Sequence, residues 1–205
     1  MADGMGGHQA GDVASAKVVE ALHDLPIVYG LDALVETATV ALEQVNRDLI
    51  ELAGSDDTEM SIGSTVVGLA IAGDQYRAFW AGDSRAYLLR DGLVTQITRD
   101  HSLVQSLVDA GMLSPGEALD HPNANIITRA VGVSPKLQVD TVGGEVVAGD
   151  LFILGSDGVT RLVDDQELAE QLASGSMDEA ADRLIEMVLA RGAPDNATLI
   201  IVKAV

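Results

Sequence analysis

Apolar residues recur at helical spacing in two stretches near the start of the chain. Over 10–25 they are Ala14, Val18, Ala21, Leu22 and Leu25; over 31–52 they are Leu34, Ala38, Ala41, Leu42, Val45 and Leu49. Each set lines one face of a helix, so two amphipathic helices are predicted. The turn Gly54-Ser55-Asp56-Asp57 ends the second. The period then changes. Short apolar runs at 64–72, 76–81, 85–90 and 93–98 predict strands. Gly73-Asp74, Gly82-Asp83-Ser84 and Asp91-Gly92 separate them as hairpin turns. Between 101 and 132 this rhythm breaks. Residues 103–110 read as a helix, and 112–125, with Pro115, Gly116 and Pro122, as a mobile, mostly helical excursion. Strands are predicted again at 137–142 and 150–154, helices at 165–172 and 177–191, and a buried strand at 196–202. Helices, then antiparallel hairpins, then helices and a strand make an α+β layered domain, not an alternating parallel one.

Composition narrows the function classes. A chain of 205 residues can bury a real core as one domain, and 47% hydrophobic residues argue against disorder. Aromatics are only 3%, so Val, Leu, Ile and Ala must build the core. No apolar run reaches the roughly 18 residues of a membrane span, and no signal-peptide pattern opens the chain. The absence of cysteine excludes disulfides, thiol catalysis and zinc–thiolate sites, and suits the cytoplasm. A net charge of −20 repels a phosphate backbone, so no nucleic-acid partner is expected. Most of that acidity is a solvated surface; a smaller part can concentrate divalent cations.

Candidate chemistry lies in three acidic turns. Asp3 precedes a loop containing Gly4, Gly6 and Gly7, where a carboxylate and the Gly4 carbonyl can face one hard cation. Asp157 follows the apolar run 151–154, and Asp195 precedes the last strand. Asp-Gly is common turn chemistry, and an Asp at a strand end also serves as a helix cap, so no single turn identifies a site. The glycine loop lacks the Lys-Ser/Thr of a P-loop, and only Met1 and Ala2 precede it, so no strand is expected to feed it. The four histidines form no cluster, and neither His-Glu-x-x-His nor a nucleophile elbow occurs. Together the turns suggest a carboxylate-rich centre for magnesium or manganese, and hydrolysis at phosphorus or carbon.

The order of motifs adds specificity. Asp3-Gly-Met-Gly-Gly-His8, Gly63-Ser-Thr65, Ala81-Gly-Asp-Ser-Arg85, Thr98-Arg-Asp-His-Ser102, His121-Pro, Ile127-Thr-Arg-Ala-Val-Gly132, Gly155-Ser-Asp-Gly158 and Asp195-Asn196 follow one another along the chain. In this it resembles a bacterial metal-dependent serine/threonine protein phosphatase of the PP2C (PPM) family. The resemblance implies a four-layer α-β-β-α sandwich of two antiparallel sheets flanked by helices. It would be a single domain over 1–205, with a flap subdomain at about 101–132. It implies that Asp3 bridges two Mn2+ or Mg2+ ions, that the Gly4 carbonyl joins one, and that Asp157 and Asp195 hold the other. Asp83 with Asp157 would form a third metal site. Asp3, Asp157 and Asp195 would be the catalytic set, acting through a water activated between the ions.

Substrates would be phosphoserine and phosphothreonine proteins, including a partner kinase and its targets, met by a cytoplasmic monomer. Some relatives carry His after the Asp-Gly; here Met5 stands there, which leaves a metal-bound water, or secondarily His8, as the proton donor. The family's opening strand pair, with a phosphate-binding Arg and an acidic metal ligand, has no counterpart in the sequence. About 20–30 residues are thus expected to be missing from the N-terminus. The alternative reading is a catalytically impaired domain that binds metal or a phosphoprotein as a regulatory module.

Overall fold

The computed structural model describes residues 1–6, 8–55 and 62–205, and only the backbone of residues 8, 9 and 55. After a short strand β1 (Gly4–Met5) come two helices, α1 (His8–His23) and α2 (Leu31–Ser55). Both occupy the stretches predicted from periodicity. Gly54 and Ser55, read as the start of a turn, are the last residues of α2, while Asp56, Asp57 and the side chain of His8 lie outside the described residues.

Strands β2 (Gly63–Ser64), β3 (Val66–Ala72), β4 (Gln75–Ala81), β5 (Arg85–Arg90) and β6 (Leu93–Gln96) follow. Next are α3 (Leu103–Asp109), α4 (Pro115–Leu119), β7 (Asp140–Glu145) and β8 (Leu151–Gly155). Helices α5 (Asp157–Thr160), α6 (Asp165–Leu172) and α7 (Met177–Ala190) lead to the last strand, β9 (Leu199–Lys203). Capping boxes Ser114/Glu117, Asp164/Glu167 and Ser176/Glu179 start α4, α6 and α7, each satisfying backbone N–H groups that a helix start leaves unpaired.

The strands form two main antiparallel sheets, ordered β3-β4-β7 and β6-β5-β8-β9, beside the small pair β1-β2. Side-chain alternation explains the layering. Val67, Trp80, Ala86 and Leu154 face one another between the sheets. Their sequence neighbours turn outward. Val66 and Phe79 meet Val18 of α1 and Leu42 and Leu49 of α2. Tyr87 and Ile153 meet Leu168 of α6 and Leu184 and Val188 of α7. The product is the expected α-β-β-α sandwich.

Several sequence expectations change. The strand predicted as buried at 196–202 runs over Leu199–Lys203 at the edge of its sheet, where none of its residues is fully buried. The strand predicted at 137–142 forms three residues later, at Asp140–Glu145, where Gly143 and Gly144 pair with Arg77 and Tyr76. Glycine is a poor strand former by propensity, so the sequence hid this end. The excursion at 112–125 is helical only at Pro115–Leu119. Its flanks are fastened: the N–H of His101 donates to the Gly82 carbonyl at 2.9 Å, and Ser64 and Val131 exchange two backbone bonds of 2.9 Å. Buried Asn46 of α2 holds the far end, accepting from the Gly132 N–H at 2.7 Å and donating to the Ser134 carbonyl at 2.9 Å.

Candidate metal centre

The glycine loop is fed by a strand-like segment after all. Met1 and Val67 exchange two hydrogen bonds, of 2.9 and 3.0 Å, and the Thr65 N–H donates to the Asp3 carbonyl at 2.8 Å. Three residues are too few to show a period, so no sign of it is readable along the chain. The Asp3 N–H also donates to the Thr65 hydroxyl at 3.2 Å. Gly4 then passes close to α1. A Cβ on Gly4 would lie 2.0 Å from the Gly11 carbonyl oxygen, so only glycine lets this loop sit against the helix.

Asp157 opens α5 directly after β8. Ser156 occupies the cap position but makes no cap bond to its own helix. Its hydroxyl instead donates to the Asn196 carbonyl at 3.3 Å and accepts from the Thr198 N–H at 3.0 Å. A Cβ on Gly158 would come 2.3 Å from the Asn196 carbonyl oxygen. Glycine at 158 and serine at 156 thus bring the Asp195 turn onto the start of α5. Asp83, 5% exposed, lies in the β4–β5 turn. Its neighbour Ser84 meets the Thr65 hydroxyl at 2.8 Å, which ties this turn to the strand that holds Asp3.

Four carboxylates from four distant places in the chain therefore share one electrostatic environment. Burial pushes Asp3 up to about 7, helped by the charges of Asp157, Asp195 and Asp83 and by a hydrogen bond to Asp157. Burial also pushes Asp83 up to about 6, with Asp157 and Asp100 adding to it. Asp157 is raised by burial and by Asp195, against the opposing charge of Arg161. Like charges gathered out of water raise one another's pKa until a cation relieves them. That donor set is all oxygen, which suits magnesium or manganese. As the side chains stand, no group of three or more His, Asp or Glu closes around a single point among the described residues. Arg161 is interposed: its guanidinium lies 3.5 Å from Asp83 and 3.2 Å from Asp157.

Arg161 was not singled out by the sequence, and no motif marks it. Other residues that shape the site stand within the quoted motifs, but their pairings were not readable. Arg85 makes a two-pronged pair with Asp100 at 2.9 and 2.7 Å. His101 accepts from the Gly82 N–H through Nδ1 at 3.1 Å, so its Nε2 carries the proton facing Asp140, also at 3.1 Å. Burial lowers its pKa, which keeps it neutral, and it acts as a fastener of the Gly82–Asp83 turn. A cavity of about 640 Å³ adjoins the carboxylates, and its lining includes Asp83, Asp157, Arg161, Pro115, Leu119 and Ala124.

Comparison with known proteins shows the family and the fold. The family description "Protein phosphatase 2C" matches residues 1–193. The serine/threonine protein phosphatase PstP of Mycobacterium tuberculosis is 39% identical over 215 aligned positions, which take in all of this chain but 40% of PstP. The chain thus spans well under half the length of that curated relative. The structure of PppA, a key regulatory component of the type VI secretion system in Pseudomonas aeruginosa, superposes with a TM-score of 0.92 at 42% identity. That match covers 100% of this chain and 84% of PppA. The PstP catalytic domain in complex with two manganese ions superposes with a TM-score of 0.85 at 36% identity, covering 98% of this chain and 85% of that one. On the family match, the full-length similarity and the shared fold, the chain belongs to the protein phosphatase 2C family.

Proposed function

We propose that this chain is a manganese- or magnesium-dependent protein serine/threonine phosphatase that hydrolyses phosphoserine and phosphothreonine. The observation that carries this reading is the convergence of Asp3, Asp83, Asp157 and Asp195, each from a different element, on one environment where Asp3 rises to about 7. Family membership and the two manganese ions of the PstP catalytic domain support it. Asp3, Asp157 and Asp195, with the Gly4 carbonyl, would hold the principal ions, and Asp83 with Asp157 a third. When bound, paired divalent cations lower the pKa of water and neutralise the phosphoryl oxygens in an in-line displacement.

The chain's own residues then have defined tasks. Thr65 and Ser84 hold the Asp3 and Asp83 backbones in register. Asp3, raised to about 7 beside Asp157, must give up the proton it holds below that pH when a cation arrives. The cavity beside Asp157 offers the phosphoprotein segment a place to lie. No helix among the described residues is long and apolar enough to cross a membrane. The proposed role is that of a cytoplasmic monomer acting on a kinase and its targets.

The test is hydrolysis of p-nitrophenyl phosphate and of a phosphothreonine peptide with Mn2+, with Mg2+ and with EDTA. Turnover that requires either metal is expected, and EDTA-insensitive hydrolysis overturns the mechanism. Tight Mn2+ binding with no turnover selects the alternative, an impaired domain that acts by binding.

A further inference from the structure

Arg161 stands at the C-cap of α5, four residues after Asp157, so one short helical turn fixes the two together. Its guanidinium uses every nitrogen. Nε faces Asp157 at 3.2 Å and Nη2 faces Asp83 at 3.5 Å. On its other side Nη2 donates to the Ala124 carbonyl at 2.9 Å, and Nη1 donates to Oδ1 of Asn125. One side chain therefore joins the two carboxylates to the turn that follows α4. Apart from the Leu103 N–H, which donates to the Ile126 carbonyl at 2.9 Å at the end of the turn, its remaining support is local: the Ala124 N–H donates to the His121 carbonyl at 2.9 Å and the Ile126 N–H to the Asn123 carbonyl at 3.1 Å. Asn123, Ala124 and Asn125 are themselves largely surface residues.

We infer that Arg161 is a positioning residue that a divalent cation at the Asp83–Asp157 pair displaces, so that loading this pair releases the 121–126 turn of the flap. The inference rests on the reading of Asp83 and Asp157 as cation ligands and adds what the loading does. The physical reason is competition. A dication on this pair would sit within a few ångströms of the guanidinium, and the two positive charges repel at such short range. Once the guanidinium leaves the carboxylates, the Ala124 and Asn125 bonds lose the anchor that made them a tether. Ala124 and Arg161 both line the 640 Å³ cavity, so the tether also sets the width of the space where a substrate segment would enter. Coupling of this kind is reciprocal: whatever the cation does to Arg161, Arg161 does to cation affinity.

Two measurements on the whole chain decide it. The first is Mn2+ titration by calorimetry on wild type, Asp83→Asn, Arg161→Gln and Arg161→Lys. The second is amide hydrogen exchange over 121–127 with and without Mn2+, adding Asn125→Ala. Asp83→Asn should lose one equivalent of Mn2+; an unchanged stoichiometry removes the underlying site reading and this inference with it. Given that loss, Arg161→Gln should bind the weakest Mn2+ about fivefold or more tightly, with Arg161→Lys close to wild type. Wild-type exchange over 121–127 should rise about fivefold or more with Mn2+, and in Arg161→Gln and Asn125→Ala it should be fast already and insensitive to the metal. Loss of the Mn2+ equivalent in Asp83→Asn, together with unchanged affinity in Arg161→Gln and metal-independent exchange in wild type, overturns the tether while leaving the metal site intact.

Discussion

Thr65 and Ser84 meet hydroxyl to hydroxyl at 2.8 Å in the buried seam between the glycine loop and the β4–β5 turn. The same Thr65 hydroxyl accepts from the Asp3 N–H. One oxygen therefore sets the distance between the backbones that carry Asp3 and Asp83. Replacing Thr65 by Val keeps the shape and removes both bonds, leaving the Ser84 hydroxyl buried without this partner. A loss of about 1–3 kcal/mol in unfolding free energy is expected, with weaker Mn2+ binding. Denaturant unfolding in EDTA and Mn2+ titration check both parts. Full metal affinity in a destabilised protein would mean that the seam supports the fold but not the site.

Asp3, Asp157 and Asp195 should behave as one unit. Changing any one to Ala removes a carboxylate from a set that must hold dications together, so Mn2+ binding and most phosphatase activity should be lost. Asp83→Ala should cost less, since it serves only the third ion. Calorimetric titration beside the phosphothreonine-peptide assay measures this. An Asp157→Ala protein that binds Mn2+ as tightly as the parent refutes the site.

Stability without metal should fall as pH rises. Folding lifts Asp3 from the ordinary aspartate range to about 7 and Asp83 to about 6, chiefly through burial. Between those limits the native state holds protons that the unfolded chain has released. The stabilisation is therefore complete below the ordinary aspartate range and is lost on passing pH 6–7. Asp3 is partly open to solvent, so after discounting for screening its share is about 1–2 kcal/mol. Glu167, held down to about 2 by its bond to Arg191, acts in the opposite sense only in strong acid, whereas His101 and the Met1 amine, both lowered by burial, oppose the trend near their ordinary values, and the larger lift of Asp3 outweighs them. Thermal unfolding in EDTA at pH 5 and 7.5 should show the lower Tm at 7.5. Asp3→Asn should flatten the trend, and Mn2+ should stabilise more at the higher pH. A metal-free Tm that rises over this interval contradicts the account.

Gly158→Ala tests how Asp195 is placed. The new methyl would lie 2.3 Å from the Asn196 carbonyl oxygen, a backbone atom that cannot swing away. The 194–197 turn must shift, at a cost of about 1–3 kcal/mol. Mn2+ affinity should drop although no ligand has changed. Unaltered affinity would show that the Asp195 turn has slack.

Much of this protein was legible along the chain because it depends on local order. The stripes of α1 and α2 and the hairpin turns from Gly73 to Gly92 are periodic or turn signals, which the sequence states directly. Alternation within strands decided the layers: Val66 and Val67, or Ile153 and Leu154, face opposite sides whatever packs there. The acidic turns at Asp3, Asp157 and Asp195 were visible as turns, and the Gly-Asp-Ser-Arg turn at Asp83 through its motif. What the chain could not state is which residues from distant segments share a space. The strand role of Met1–Asp3 exists only because Thr65 and Val67 lie alongside it. Glycines at 143 and 144 join a strand because β4 offers them a partner. Arg161 reads as any exposed arginine until the fold sets Asp83 on one side of it and Ala124 on the other. Pairing and charge proximity depend on three-dimensional distance, and separations of 37 to 78 residues along the chain leave no periodic trace of it.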